Sequence, residues 1–267
     1  MLWAFVAALL AVPVGVFLVR PRLKGVFTGE FAGLKTEALL GPVITLTVFL
    51  SAFVVAQATQ TYQRANLQAS TEAGAVALLY QNAGLLPGGT GTDLQASSIC
   101  YSRAVVNYGW PAMKSLRPSP VVNGWAREIN KQTTAVLDGP GSVVGQIVTL
   151  NRTITETRNQ RLYDAAPHLP LLTIILMIGS AIGVILALGS LAVPDMRRSV
   201  LLVLITTLAV LLGGTLYLVE QLEEPFTGIV RVEPTQMATT ARNLAAEFRL
   251  THDDGDVPCD VKGSPVS

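Results

Sequence analysis

Nucleophilic and hydrolytic chemistry needs a nucleophile, a base and a group that orients the base. The base is what this sequence lacks. Its two histidines are His168, beside a long apolar run, and His252, in an acidic tail. Neither has a Ser, Cys or carboxylate near it in a recognisable arrangement. No His/Cys cluster has metal-ligand spacing, and no glycine-rich loop follows a strand pattern. No metal, no cofactor and no enzymatic activity are therefore expected. A formal net charge of +1 gives no reason to expect nucleic acid as a partner.

The side chains that do stand out are charged residues beside an apolar run. Glu220, Glu223 and Glu224 close the last such run and are followed by Pro225, Phe226 and Gly228. Carboxylates at a helix C-terminus oppose the macrodipole, a cost of a few tenths of a kcal/mol each. Pro225 stops the helix, Phe226 suits an interface, and Gly228 permits a tight turn. Arg158 and Arg161 are the nearest compensating charges, which suggests a latch to Glu220 or Glu223. A plain hydrated acidic interface is the alternative. The only two cysteines are Cys100 and Cys259. Two apolar crossings separate them, so they share a compartment and could form a disulfide. Two unrelated thiols are the other reading.

The elements that position these residues are long apolar runs. Only 14% of the chain is charged, where a soluble domain would carry about 25%. Four uncharged stretches, 2–19, 38–58, 169–193 and 199–219, can each cross a hydrocarbon core of roughly 30 Å as helices. Isolated strands would leave backbone groups unpaired in lipid. The short loops hold Arg20, Arg22, Lys24 and Lys35, then Arg197 and Arg198, so both face the cytoplasm. Residues 59–168 and the C-terminal tail are then expected outside, at the plasma membrane. Residues 58–168 carry nine basic and six acidic side chains, and 220–267 four basic and nine acidic. These opposite excesses suit docking of tail on insertion. The expected organisation is membrane helices in 1–58, an extramembrane helical domain in 59–168, membrane helices in 169–219, and an interface motif with a tail helix in 220–267.

Within the insertion, span two is expected to continue as one long helix to Leu86, with Ala65, Ala69, Ala73, Val76, Tyr80 and Ala83 on one face. Leu86-Pro87-Gly88-Gly89 closes it. Thr92-Asp93 is expected to cap a second helix, ended by Trp110-Pro111. Ser119-Pro120 starts a third, through Val136, and Asp138-Gly139-Pro140-Gly141 is a turn. A fourth runs from Ser142 past Arg161, and Pro234 opens a tail helix whose stripe is Met237, Ala241, Leu244 and Phe248. Beyond Thr251 the chain reads as mobile unless Cys259 ties it down. Gly179 and Gly183 form a small-residue face in span three, read first as an intramolecular contact. The spans contain no ionisable side chain, which argues against a secondary transporter. A pore remains open, with Thr45, Thr47, Ser51, Thr206 and Thr207 as its available lining; Thr at such positions more often bonds its own backbone.

The exit motif Leu222-Glu223-Glu224-Pro225-Phe226-Thr227-Gly228, with Val230, Val232 and Pro234, resembles that of the bacterial bestrophin-like membrane proteins, a domain family of unknown function. Further matches are Glu72-Ala73, Leu78 to Tyr80, Tyr101, Trp110-Pro111, Arg158 and Arg161-Leu162. The resemblance implies an all-α polytopic membrane protein of four transmembrane helices, with a helical bundle between the second and third. It extends distantly to true bestrophins, pentameric anion channels whose corresponding element is Asn-Pro-Phe-Gly; here Glu224 stands in place of the Asn. In bestrophins the insertion faces the cytosol, whereas the loop charges here place it outside. Two functions follow. One is a membrane-anchored interaction or sensing module that meets an envelope protein partner; the other is a homo-oligomeric, bestrophin-like anion channel in the lipid bilayer.

Overall fold

The long stretch from Thr36 to Ala83 has only Pro42 as a helix breaker, and it forms a single helix, α1. The computed structural model describes residues 36–87, 89–137, 141–166, 170–191, 198–252 and 256–266. After α1 come α2 (Gly89–Ala104), a π-helical turn (Val105–Gly109), α3 (Trp110–Met113), α4 (Pro120–Ala135) and α5 (Gly141–Asp164). Then follow α6 (Leu171–Leu191), α7 (Arg198–Glu223) and α8 (Thr235–Thr251). The protein is all-α, and no extended sheet occurs among the described residues.

The chain divides into two units. The first comprises Met1–Gln60 and His168–Glu223. Here α6 packs on α7, and large apolar side chains such as Leu46, Phe49, Phe53, Leu172 and Leu211 stay exposed. Apolar rows of that extent belong in lipid or against another apolar surface. The helical stretches Gly41–Ala83 and Val203–Glu223 are long and apolar enough to cross a membrane, and Leu171–Ile185 is a shorter apolar stretch. The expected first span and the basic residues Arg20, Arg22, Lys24, Lys35 and Arg197 lie outside the described residues, as do Gly88, the 138–140 turn and His168.

The second unit, Thr61–Pro167 with Glu224–Ser267, contains the aqueous-type core. Small side chains at helical spacing on α1 (Ala65, Ala69, Ala73, Ala83) are all buried and permit close approach. α2 packs on α4 and α8, with Leu94, Ile99, Val122, Trp125, Ile129, Met237, Leu244 and Phe248 in one cluster. At the α1–α2 turn, an added side chain at Gly91 would lie 2.4 Å from the Ala83 carbonyl, so the reversal requires glycine there.

Two expectations are corrected. α2 starts at Gly89, not at a Thr92 cap, and the Thr92 hydroxyl lies 3.5 Å from His252 Nε2 instead. Trp110-Pro111 does not end the helix. Proline has no N–H for the carbonyl four residues back, and the wider π turn just before it lets the path run on through Met113. At Gly179 and Gly183 an added Cβ would meet no described residue within 4 Å.

Candidate functional site

Glu72 sits on the apolar face of α1, one turn from both Ala69 and Val76, and is fully buried. A carboxylate there requires a countercharge. Arg161 of α5 supplies it: Nη1 is 2.6 Å from Glu72 Oε2, with the two side chains 1% and 0% exposed. Tyr101 of α2 donates its hydroxyl to Glu72 Oε1 at 2.6 Å. Burial, and then the negative charge of Glu72, push the Tyr101 phenol well above its ordinary 10.0, against the opposing pull of Arg161. The phenol therefore stays protonated and remains a donor.

The other face of Arg161 lies on an aromatic surface. Its guanidinium carbon is 4.7 Å from the centroid of Trp110, a cation–π contact in a dry setting. Trp110 meets Phe226 edge to face, centroids 5.7 Å apart, and donates Nε1–H to the Val232 carbonyl at 3.0 Å. The Val232 N–H in turn donates to Pro225 O at 2.7 Å. Backbone N–H groups of Thr227 and Gly228 both donate to Glu224 O, and the Thr227 hydroxyl donates to Glu224 Oε2. Five segments, α1, α2, α3, α5 and the turn after α7, thus meet around one buried ion pair. The arrangement can fix geometry; it offers no nucleophile and no general base.

Arg161 and the residues from Glu224 to Gly228 were singled out in the sequence, and Arg161 and Phe226 are joined through Trp110. The carboxylate that Arg161 meets inside the second unit is Glu72. Arg158 is partly buried and forms no ion pair among the described residues. Glu220 and Glu223 close α7. Glu72 is the residue whose role the sequence reading missed. Its signal was a lone carboxylate in register with an alanine seam.

A second constellation holds the tail. Cys100 and Cys259 form a disulfide across 159 residues, with Cα atoms 5.7 Å apart. Around it Trp125 donates Nε1–H to Gly263 O at 2.7 Å, Tyr108 Oη and Ser264 Oγ are 2.7 Å apart, and Arg103 donates to Asp260 O at 3.2 Å. Gly263 has φ of +90°, and a side chain there would strike the Ala104 backbone at 2.4 Å. His252 stacks on Phe248, centroids 4.3 Å apart.

The expected pore-lining hydroxyls do not form one row. Thr47 and Ser51 share a helical face and Thr47 is buried, whereas Thr45, Thr206 and Thr207 are exposed. Thr45, Thr47 and Thr207 each donate to the carbonyl four residues back at 2.9 Å.

Comparisons with known proteins follow this architecture. The model of the bestrophin-like domain matches residues 6–237. A crystal structure of a bacterial bestrophin homologue from Klebsiella pneumoniae, carrying a Leu-to-Thr mutation, is similar with a TM-score of 0.69 at 12% identity. The alignment covers 92% of this chain and 97% of that one. A second structure of a Klebsiella pneumoniae bestrophin homologue matches with a TM-score of 0.68, the same identity and the same coverage. No curated protein is detectably similar in sequence.

Proposed function

This chain belongs to the bestrophin-like family, and we propose on that premise that it is one subunit of an oligomeric anion channel. It is a membrane protein of that fold. The observation that carries the channel reading is the extent of the structural likeness, which runs over nine-tenths of both chains. The buried ion pair supports it. A channel needs the turn after its last membrane helix held in fixed geometry, and Trp110 and Phe226 tie that turn to Arg161. The exposed apolar rows of α1, α6 and α7 give a second copy and the lipid something to cover. The interaction or sensing module, and the envelope partner it would need, gain nothing from these findings.

The same reading has four membrane helices, two short cytoplasmic loops and the helical insertion outside. Six basic residues in the short loops support this orientation. So does the Cys100–Cys259 bond, because structural disulfides persist in oxidising compartments. True bestrophins have the opposite placement of the insertion, so this chain would conduct with its extramembrane helices on the far side. Halide efflux from liposomes containing the purified protein tests the function. Release above that of protein-free liposomes is expected; efflux no faster than theirs would overturn the channel.

A further inference from the structure

An open groove of about 600 Å³ runs along α8 beside the π-helical turn, and three arginines line it. Arg103 comes from the end of α2; Arg242 and Arg249 come from α8. The two α8 residues are seven apart, so they lie on one face, about 10 Å apart along the axis. The remaining lining is mostly small or apolar: Val106, Ala238, Ala241, Ala245 and Val261.

Among the described residues none of the three arginines forms an ion pair, and the hydrogen bonds of Arg242 and Arg249 go to their own helix, to Thr239 Oγ1 and Ala245 O. Arg103 donates to a backbone carbonyl, Asp260 O, and touches Cys259 Sγ at 3.8 Å. Asp260 is the nearest acid, yet its Oδ1 already accepts the backbone N–H groups of Lys262 and Ser264. Glu233, at the other end of the groove, faces Arg231 at 3.5 Å. Burial, and then the charge of Arg249, lower the pKa of Arg103 from its ordinary value against the smaller opposing pull of Asp260, so the two guanidiniums are close enough to repel. The fold holds like charges together in a concave, partly dry place. An oxyanion between them would remove the repulsion and accept their free donors. The first turn of α8, at Thr235, opens on the same groove and adds unpaired backbone N–H groups.

We propose that this groove binds a phosphate-bearing ligand, with the phosphate held between Arg103 and Arg249 and with Arg242 as a further contact. The inference is independent of ion conduction. Phosphate fits better than a single carboxylate because guanidiniums on two helices approach it from different directions and need more than two acceptor oxygens.

The test uses the full-length protein in nanodiscs, followed by phosphorus NMR and calorimetry. One arm titrates inorganic phosphate into nanodiscs of neutral phosphatidylcholine; the other uses nanodiscs containing phosphatidylglycerol and no added phosphate. Saturable binding in the first arm identifies a soluble phosphate ligand, and a perturbed headgroup signal in the second alone identifies a lipid. In either case Arg249→Gln should weaken the interaction at least tenfold, Arg249→Lys less, and the Arg242→Gln/Arg249→Gln pair should abolish it. Both residues are exposed on α8 and bond only within it, so the variants should melt with the parent protein. Absence of any phosphate signal in both arms, or equal binding by the double variant, overturns the proposal.

Discussion

The most constrained side chain in the second unit is Glu72, a fully buried carboxylate whose countercharge is the equally buried Arg161. Removing Arg161 alone would leave that charge uncompensated, and such losses cost about 3–5 kcal/mol. Arg161→Met should therefore destabilise strongly. Glu72→Leu with Arg161→Met should recover a large part of the loss, since replacing both partners by apolar groups is often near neutral. Thermal unfolding of the two singles and the double in detergent is the check; additive losses would mean the pair is not coupled. Tyr101→Phe should cost about 1.5–3 kcal/mol, the range for a hydrogen bond to a charged group. The phenol also predicts an alkaline response. Its folded pKa is raised, so its stabilisation is complete below the unfolded value near 10 and is lost as pH rises above that. Absorbance at the tyrosinate band should show Tyr101 ionising only with unfolding, and the Tyr101→Phe variant should lose less stability between pH 9 and about 11 than the parent.

At the scale of elements, the helices were largely legible because their signals are local. Pro120 opens α4, the alanine seam of α1 is buried throughout, and Met237, Ala241, Leu244 and Phe248 form the buried stripe of α8. What was not legible depended on partners distant in sequence. Pro111 looked like a terminator because nothing in the sequence announces a π turn. Arg161 has a buried partner, Glu72, 89 positions earlier in the same unit, which no local pattern announces. The tail read as mobile unless Cys259 tied it down; the disulfide does so, and the Trp125, Tyr108 and Arg103 bonds, which no local pattern announces, hold it further. Two outcomes follow for this strap. Reduction, or Cys259→Ser, should lower stability by about 2–5 kcal/mol and expose 256–266 to proteolysis. Gly263→Ala should loosen the same segment with the disulfide intact, because its side chain meets the Ala104 backbone; unchanged protection of that segment in hydrogen exchange would contradict this account.

For the whole molecule, the account joins a bestrophin-like fold to an orientation set by loop charge and a disulfide. Arg197→Cys should resist membrane-impermeant thiol reagents in intact cells while Gly89→Cys reacts; the reverse pattern would place the insertion in the cytosol. Native mass spectrometry of the detergent-solubilised protein should find a closed homo-oligomer, pentameric if the distant likeness to bestrophins extends to assembly. The channel itself is tested most directly by planar-bilayer recording of that purified oligomer under a potassium chloride gradient. The account predicts a conductance that reverses close to the chloride equilibrium potential. Silent bilayers with a folded, oligomeric protein, or reversal at the potassium potential, would contradict it.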